Sequence, residues 1–270
     1  MQDCSTYLEI TYNNDSARIS RANYCRDRLC PMCAWRRSRN NFAGVMAACN
    51  YIRSHCPTDK TNQWLHLTLT VQNCTPDTLG DTINLMMAAW DRVSKRRTWR
   101  KAYLGYARSM EITYNADNNT MHPHMHILLH AAPDYYDSAY MDNAALEHQW
   151  LSALGSLYQG SRAFISIQRI KPSQHEEPME TAIAEVTKYL CKSVALPTMP
   201  QTTLHHFAQA VAGRRLLALG GDIAAAAREL NYDPDSTEQI ESVTVDDSGM
   251  HTLVLQWSHA GNAYYIERDL

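Results

Sequence analysis

The chain has 270 residues, 45% of them apolar and 20% charged, enough to bury a core in one large domain and too apolar for a disordered chain. No apolar run approaches the ~18 residues that span a bilayer, and the N-terminal MQDCSTYLEI lacks the basic start and apolar stretch of a secretory signal, so a cytoplasmic protein with reduced thiols is expected. The formal net charge of −3 argues against a nucleic-acid partner until it is read by region. The balance is +8 over residues 1–110, −3 over 111–221 and −8 over 222–270, an asymmetry that points to an anionic partner.

Residues 6–22 read as a hairpin turning at Asn13-Asn14-Asp15. YCRDRLCPMC follows, and Cys30-Pro-Met-Cys33 is the tight half-site that lets two thiolates reach one tetrahedral Zn²⁺. Cys25 is a candidate third ligand and Cys4 a fourth, in competition with Cys49, Cys56 and His55. Arg36, Arg37 and Arg39 crowd this knuckle and are candidate DNA contacts. Residues 34–55 read as a helix ended by Pro57, and 64–72 as a strand. A helix capped by Asp77 or Thr78 is expected to run to about residue 100. Its last turns carry Arg92, Lys95, Arg96, Arg97, Arg100 and Lys101 around Trp99, more cations than a helix dipole asks for. Phosphate contact with Trp99 stacking on a base is the sharper expectation.

Residues 103–115 and 121–130 read as strands joined by NADNN. A helix near 139–154, a strand at 163–170 and a helix at 178–193 follow. The succession β-α-β-β-α-β implies an α+β fold, a ferredoxin-like or RRM-like sandwich with its helices on one face of an antiparallel sheet. Residues 201–230 read as helical with breaks at Gly213 and Gly220-Gly221, and the end as an acidic β-meander turning at Asp246–Gly249 and Ala260–Asn262. Three parts are expected: a zinc-knuckle hairpin and helix (1–60), the α+β core (61–195) and a helical and β-meander extension (196–270).

Two strings carry chemistry. In MHPHMHILLH, His124 and His126 share one face of a strand, with Glu111 across the hairpin. Two imidazoles and one carboxylate leave metal positions open for water or a phosphate oxygen. His122 shares the parity, but Pro123 is expected to bend its approach, which makes it a neighbour or substrate contact. In AEVTKYLCKS, helical spacing puts Glu185, Tyr189 and Lys192 on one face with Lys188 alongside. By themselves these residues fit an ordinary amphipathic helix with surface i,i+4 pairs better than a site.

Four blocks in order, CSTYLEI with YCRDRLCPMCAWRRSRN, WLHLTLTVQN, EITYN with HPHMHILL, and EVTKYLCKS, resemble the rolling-circle plasmid replication initiators of the His-hydrophobic-His endonuclease superfamily. The weaker stretch RRLLALGGDIAAAARELN is also similar; the last forty residues carry no part of the resemblance. The resemblance implies a bacterial, plasmid-encoded nickase and strand transferase. Tyr189 would be the nucleophile, forming a 5′-phosphotyrosine link and freeing a 3′-OH primer. His124, His126 and Glu111 would hold Mg²⁺ or Mn²⁺, Lys192 or Lys188 would help Tyr189 ionise, and Glu185 would activate water for the closing cleavage. Implied partners are origin DNA, single-stranded or hairpin-extruded, and the host helicase and replication machinery. The rivals are a transposase or relaxase of the same superfamily, a zinc hydrolase built on His122, His124 and His126, and a non-catalytic zinc-containing DNA-binding protein.

Overall fold

Each strand read from alternating residues forms in a computed structural model, which describes residues 3–15, 17–56, 58, 61–158, 160, 163–171, 178–188, 193–234 and 251–266. The chain groups into two units, residues 1–40 with 235–270, and residues 41–234. This differs from boundaries at 60 and 195. Residues 41–56 and 201–229 pack with the core, and the C-terminal strands pair back onto the N-terminal hairpin.

In the first unit, β1 (Tyr7–Tyr12) and β2 (Ala17–Ala22) form the expected hairpin. At its turn, the Asp15 N–H donates to Asn13 Oδ1 at 3.0 Å, the local bond that favours Asn in turns. β8 (His251–Ser258) pairs with the free edge of β1 and β9 (Ala263–Ile266) with β8, giving an antiparallel sheet ordered β2-β1-β8-β9. The expected turn at Asp246–Gly249 lies outside the described residues. Helix α1 (Pro31–His55) starts three residues earlier than expected, with Pro31 in the first-turn position where its missing N–H costs nothing.

In the second unit, β3 (Trp64–Thr70), β4 (Tyr103–Asn115), β5 (Thr120–Ala131), β6 (Ile165–Arg169) and β7 (Leu217–Gly220) make an antiparallel sheet ordered β6-β3-β5-β4-β7. Helices α2 (Leu79–Ser94) and α4 (Asn143–Leu154) pack together beside it. Asp142 caps α4, accepting the Ala145 N–H at 2.8 Å. One sheet face buries Leu65, Leu67, Leu69, Met110, Ile112, Met125, Ile127 and Leu129. The other face is covered too, which corrects the expectation of helices on one side only. There Val45, Cys49 and Ile52 of α1, Ile183 and Val186 of α5 (Pro178–Thr187), and Ile223 and Ala226 of α7 (Gly221–Glu229) pack on Trp64, Ala107 and Leu128.

Three further elements differ from expectation. The helix expected to reach residue 100 stops at Ser94, because Arg96 takes an extended backbone (φ −63°, ψ 145°) before the short α3 (Arg97–Ala102). The stretch 201–230 contains α6 (Gln201–Val211) and α7 with β7 between them. Gly105 and Gly221 bridge β4 to this edge, where a Cβ on either would overlap its neighbours, and Gly221 has φ +62°. Helix α5 is described only to Thr187, short of the expected residue 193. His130 shares the parity of His124 and His126 but is a buried clamp: Nδ1 faces Asp222 Oδ2 at 2.5 Å and Nε2 faces the Thr61 carbonyl at 2.9 Å.

Candidate functional site

The β4–β5 register sets Glu111 directly opposite His124, and opposite residues of an antiparallel pair share a face. His126 follows two residues on. Glu111 Oε2 lies 3.2 Å from His124 Nε2 and 3.0 Å from His126 Nε2, and these ligand atoms lie within 4.8 Å of one another. Glu111 and His126 are buried and His124 nearly so. Lys188, one residue past α5, sets Nζ 2.9 Å from the same Glu111 oxygen and 2.5 Å from Glu185 Oε2. Burial pushes the Glu111 carboxyl up, but the contacts from His124, His126 and Lys188 overcome it and hold it well below the usual carboxylate range. Burial would lower Lys188; Glu185 and Glu111 together raise it.

The donor set fits a divalent cation. His124 Nδ1 faces the His122 carbonyl at 3.2 Å. A neutral ring that donates there presents a bare Nε2 to a carboxylate oxygen, two acceptors face to face. A cation held by Glu111, His124 and His126 would turn that repulsion into coordination. Two imidazoles and a carboxylate suit a divalent cation with open coordination positions. His122 stays outside this group, its ring centroid 5.5 Å from that of His124, and burial followed by the neighbouring His124 lowers its pKa. The strand register runs unbroken through Pro123, Ile112 opposite it, so the expected bend is absent. Tyr189 and Lys192 lie outside the described residues.

The second cluster is in the other unit. Cys4, Cys25, Cys30 and Cys33 converge, with Sγ–Sγ distances of 3.5 Å for Cys4–Cys33, 3.6 Å for Cys25–Cys33 and 3.4 Å for Cys30–Cys4. A tetrahedron with metal–sulfur bonds of ~2.3 Å has edges of about 3.8 Å, so the thiols sit at metal-ligand spacing. The Cys25 N–H points at Cys4 Sγ (3.4 Å), and the N–H of Arg26, at φ +60°, points at Cys33 Sγ (3.2 Å). Cys4 thus completes the set. Of its competitors, Cys49 is buried in the other unit's core, where burial pushes its thiol up to about 12. The C-terminal strands brace the cluster: Tyr264 OH donates to the Ser5 carbonyl at 2.5 Å and the Trp257 N–H to the Thr6 carbonyl at 2.7 Å.

A family profile described as "Replication protein" matches residues 16–265, more than nine-tenths of the chain. The chain belongs to the rolling-circle plasmid replication initiator family. It is 27% identical over 287 residues to a "Protein rep" of Bacillus amyloliquefaciens, covering 98% of this chain and 83% of that one. It is 27% identical over 279 residues to a "Protein rep" of Lentilactobacillus hilgardii, covering 98% and 86%. A "Replication protein" of Staphylococcus aureus is 25% identical over 222 residues, covering 77% and 92%. No solved structure matches. The match extends through the acidic tail, which carried no resemblance in the sequence, in keeping with the pairing of β8 on β1.

The initiator's cationic run divides into members bonded to the protein and members that are exposed. Arg92 Nε donates to the Ala153 carbonyl at 2.7 Å, Arg96 to the Gln149 carbonyl at 3.1 Å and Ser152 Oγ at 3.2 Å, and Lys101 to the Ser138 carbonyl at 3.3 Å. Lys95 pairs with Asp91 at 2.7 Å. Arg97 and Arg100 are exposed. Trp99 is not a stacking platform: it is 3% exposed and packs edge-on to Trp90 with centroids 5.4 Å apart. Of the knuckle arginines, Arg39 is exposed and Arg36 and Arg37 are half-buried, beside an exposed Trp35.

His66 joins the face of Glu111, His124 and His126 without a motif to announce it. Its ring stacks on His126 at 5.4 Å and 13°, its Nε2 is buried with no partner among the described residues, and burial, with His126 and Lys188 nearby, brings its pKa down to about 4. The one signal in the sequence is a polar residue at even parity in WLHLTLT. No described helix is long and apolar enough to cross a membrane.

Proposed function

We propose that this initiator nicks one strand at its plasmid's origin, with Tyr189 as nucleophile. The observation that carries the reading is the convergence of Glu111, His124 and His126 beside Lys188 and Glu185, directly before Tyr189 in the chain. The Tyr189 phenolate attacks the scissile phosphorus, the P–O3′ bond breaks, and the released oxygen takes up a proton to become the 3′-OH primer. The 5′-phosphate stays on Tyr189. A Mg²⁺ or Mn²⁺ ion held by Glu111, His124 and His126 supplies charge neutralisation of the scissile phosphate. Lys188 and Lys192 favour the ionised phenol. Glu185 serves as base for water in the closing hydrolysis, and strand transfer back to the 3′-OH is the reverse of nicking.

The order β3-α2-β4-β5-α4-β6 and the strand sequence β6-β3-β5-β4 support reading the core as ferredoxin-like. We read the Cys4, Cys25, Cys30, Cys33 cluster as a structural Zn²⁺ site, Arg36, Arg37, Arg39, Arg97 and Arg100 as phosphate contacts, and a host helicase as a partner in unwinding. The test is to incubate the protein with single-stranded oligonucleotides tiling its own plasmid's origin, with Mn²⁺, and to look for a denaturation-resistant protein–DNA adduct. Wild type forms one and Tyr189→Phe forms none. An adduct on Tyr189→Phe, or none on wild type, overturns the reading.

A further inference from the structure

Among the exposed apolar side chains, Phe164 is set apart by its place in the sheet row of Glu111 and His124. Phe164 is 68% exposed, yet its backbone is among the most firmly held near the site. Its N–H donates to Thr70 Oγ1 at 3.0 Å, and its carbonyl accepts from the Thr70 N–H at 3.1 Å and from the Thr70 hydroxyl at 2.9 Å. Thr70 is itself fixed, its carbonyl accepting Trp150 Nε1 at 2.9 Å, and is 5% exposed. The next residue, Ile165, pairs with Leu69 and turns into the apolar core. By strand alternation Phe164 therefore faces the other side, with Thr70. Thr70 lies opposite His124, and His124 opposite Glu111. Phe164, Thr70, His124 and Glu111 thus form one cross-sheet row, with the Phe164 backbone two strand spacings, about 9.6 Å, from that of His124.

We propose that Phe164 is a base-stacking platform for single-stranded DNA, holding a base next to the phosphate that lies at Glu111, His124 and His126. The inference rests on the reading of that site as one acting on DNA. An aromatic face accepts any base, so such a platform positions the strand without selecting a sequence. The pinned backbone gives the ring a fixed place relative to the metal ligands, which is what positioning of a scissile phosphate needs. The occupant follows from continuity: the ring continues the row that ends in the phosphate site. It also fills the role that the buried Trp99 does not.

The experiment measures binding of a fluorescently labelled thymidine homopolymer and of an abasic strand of equal length, without added divalent ion. Phe164→Ala binds the homopolymer roughly 5–100-fold more weakly than wild type, the range for stacking one base on an aromatic ring, while Phe164→Trp retains binding. On the abasic strand, wild type and Phe164→Ala bind alike. Equal homopolymer binding by wild type and Phe164→Ala overturns the proposal, and so does a loss that persists on the abasic strand. Unchanged DNA binding with altered self-association in sedimentation would assign the ring to a contact between copies of this chain, and overturns it too. Adduct formation by Tyr189 is not read here, so the stacking role and the nicking role fail separately.

Discussion

Lys188→Met should bind Mn²⁺ more tightly than wild type while nicking less. Lys188 Nζ sits 2.9 Å from Glu111 Oε2, the oxygen on which both imidazoles converge. A divalent ion entering there meets a resident cation and must displace it. A charge-assisted hydrogen bond contributes about 1.5–3 kcal/mol. The Lys188 side chain is 34% exposed and keeps Glu185 as a second partner, so screening brings the cost of release to ~1 kcal/mol. That is about a fivefold gain in Mn²⁺ affinity once the lysine is gone, read by titrating free Mn²⁺ by electron paramagnetic resonance on zinc-loaded protein. Lys188→Arg keeps a cation and should stay near wild type. Equal or weaker Mn²⁺ binding by Lys188→Met would refute the idea that Lys188 and the metal compete for one carboxylate.

Cys33→Ser should lower zinc content from one ion per chain to none by elemental analysis, with a lower melting temperature; retention of a full zinc equivalent sinks the four-thiol assignment. Trp99→Ala should cost about 3–5 kcal/mol of unfolding free energy and leave single-strand affinity of the folded protein unchanged, whereas a stable variant with weakened affinity would return Trp99 to the DNA surface. Arg97→Ala with Arg100→Ala should flatten the dependence of log affinity on log salt by about 0.7 for each phosphate no longer neutralised; Arg96→Ala, which removes two bonds to α4, should instead lower stability. The same change of slope in both variants would contradict the division of the run into cations bonded to protein and exposed ones.

Periodicity made the strands and the convergence of His124 with His126 legible because both follow from one rule, that alternate residues share a face. That rule also put Glu111 within reach of His124, since a short turn fixes the hairpin register. It could not separate His124 and His126 from His130, which has the same parity but lies four residues further along, over the helix carrying Asp222. The distinction depends on what packs above the sheet. The same limit hid the exposure of Phe164 and the burial of Trp99. A tryptophan among six cations reads as a nucleic-acid contact in one dimension, but Trp90 and Tyr103 enclose its ring. β7 was hidden because four residues beside two glycines show too little alternation to be told from a broken helix. The pairing of β8 with β1 spans most of the chain, and no local pattern encodes it.

Charge is where the fold alters the reading most, because charges act through space and the regions that made the asymmetry are regrouped. The seven arginines and four acids of residues 1–40 share a unit with residues 235–270, which bring seven acids and one arginine, so the formal charge of that unit is −3. Residues 41–234 carry 17 basic and 17 acidic residues and are formally neutral. Neither unit has the net positive field that draws DNA from a distance. On the proposed reading, affinity then comes from individual exposed cations and from stacked bases, since four of the six cations around Trp99 are committed to protein contacts. An initiator so built would hold a strand chiefly at the Glu111 site and the Phe164 ring proposed to lie beside it. This favours release from nonspecific DNA, whose binding rests almost wholly on phosphate neutralisation, over release from a strand seated at the Glu111 site.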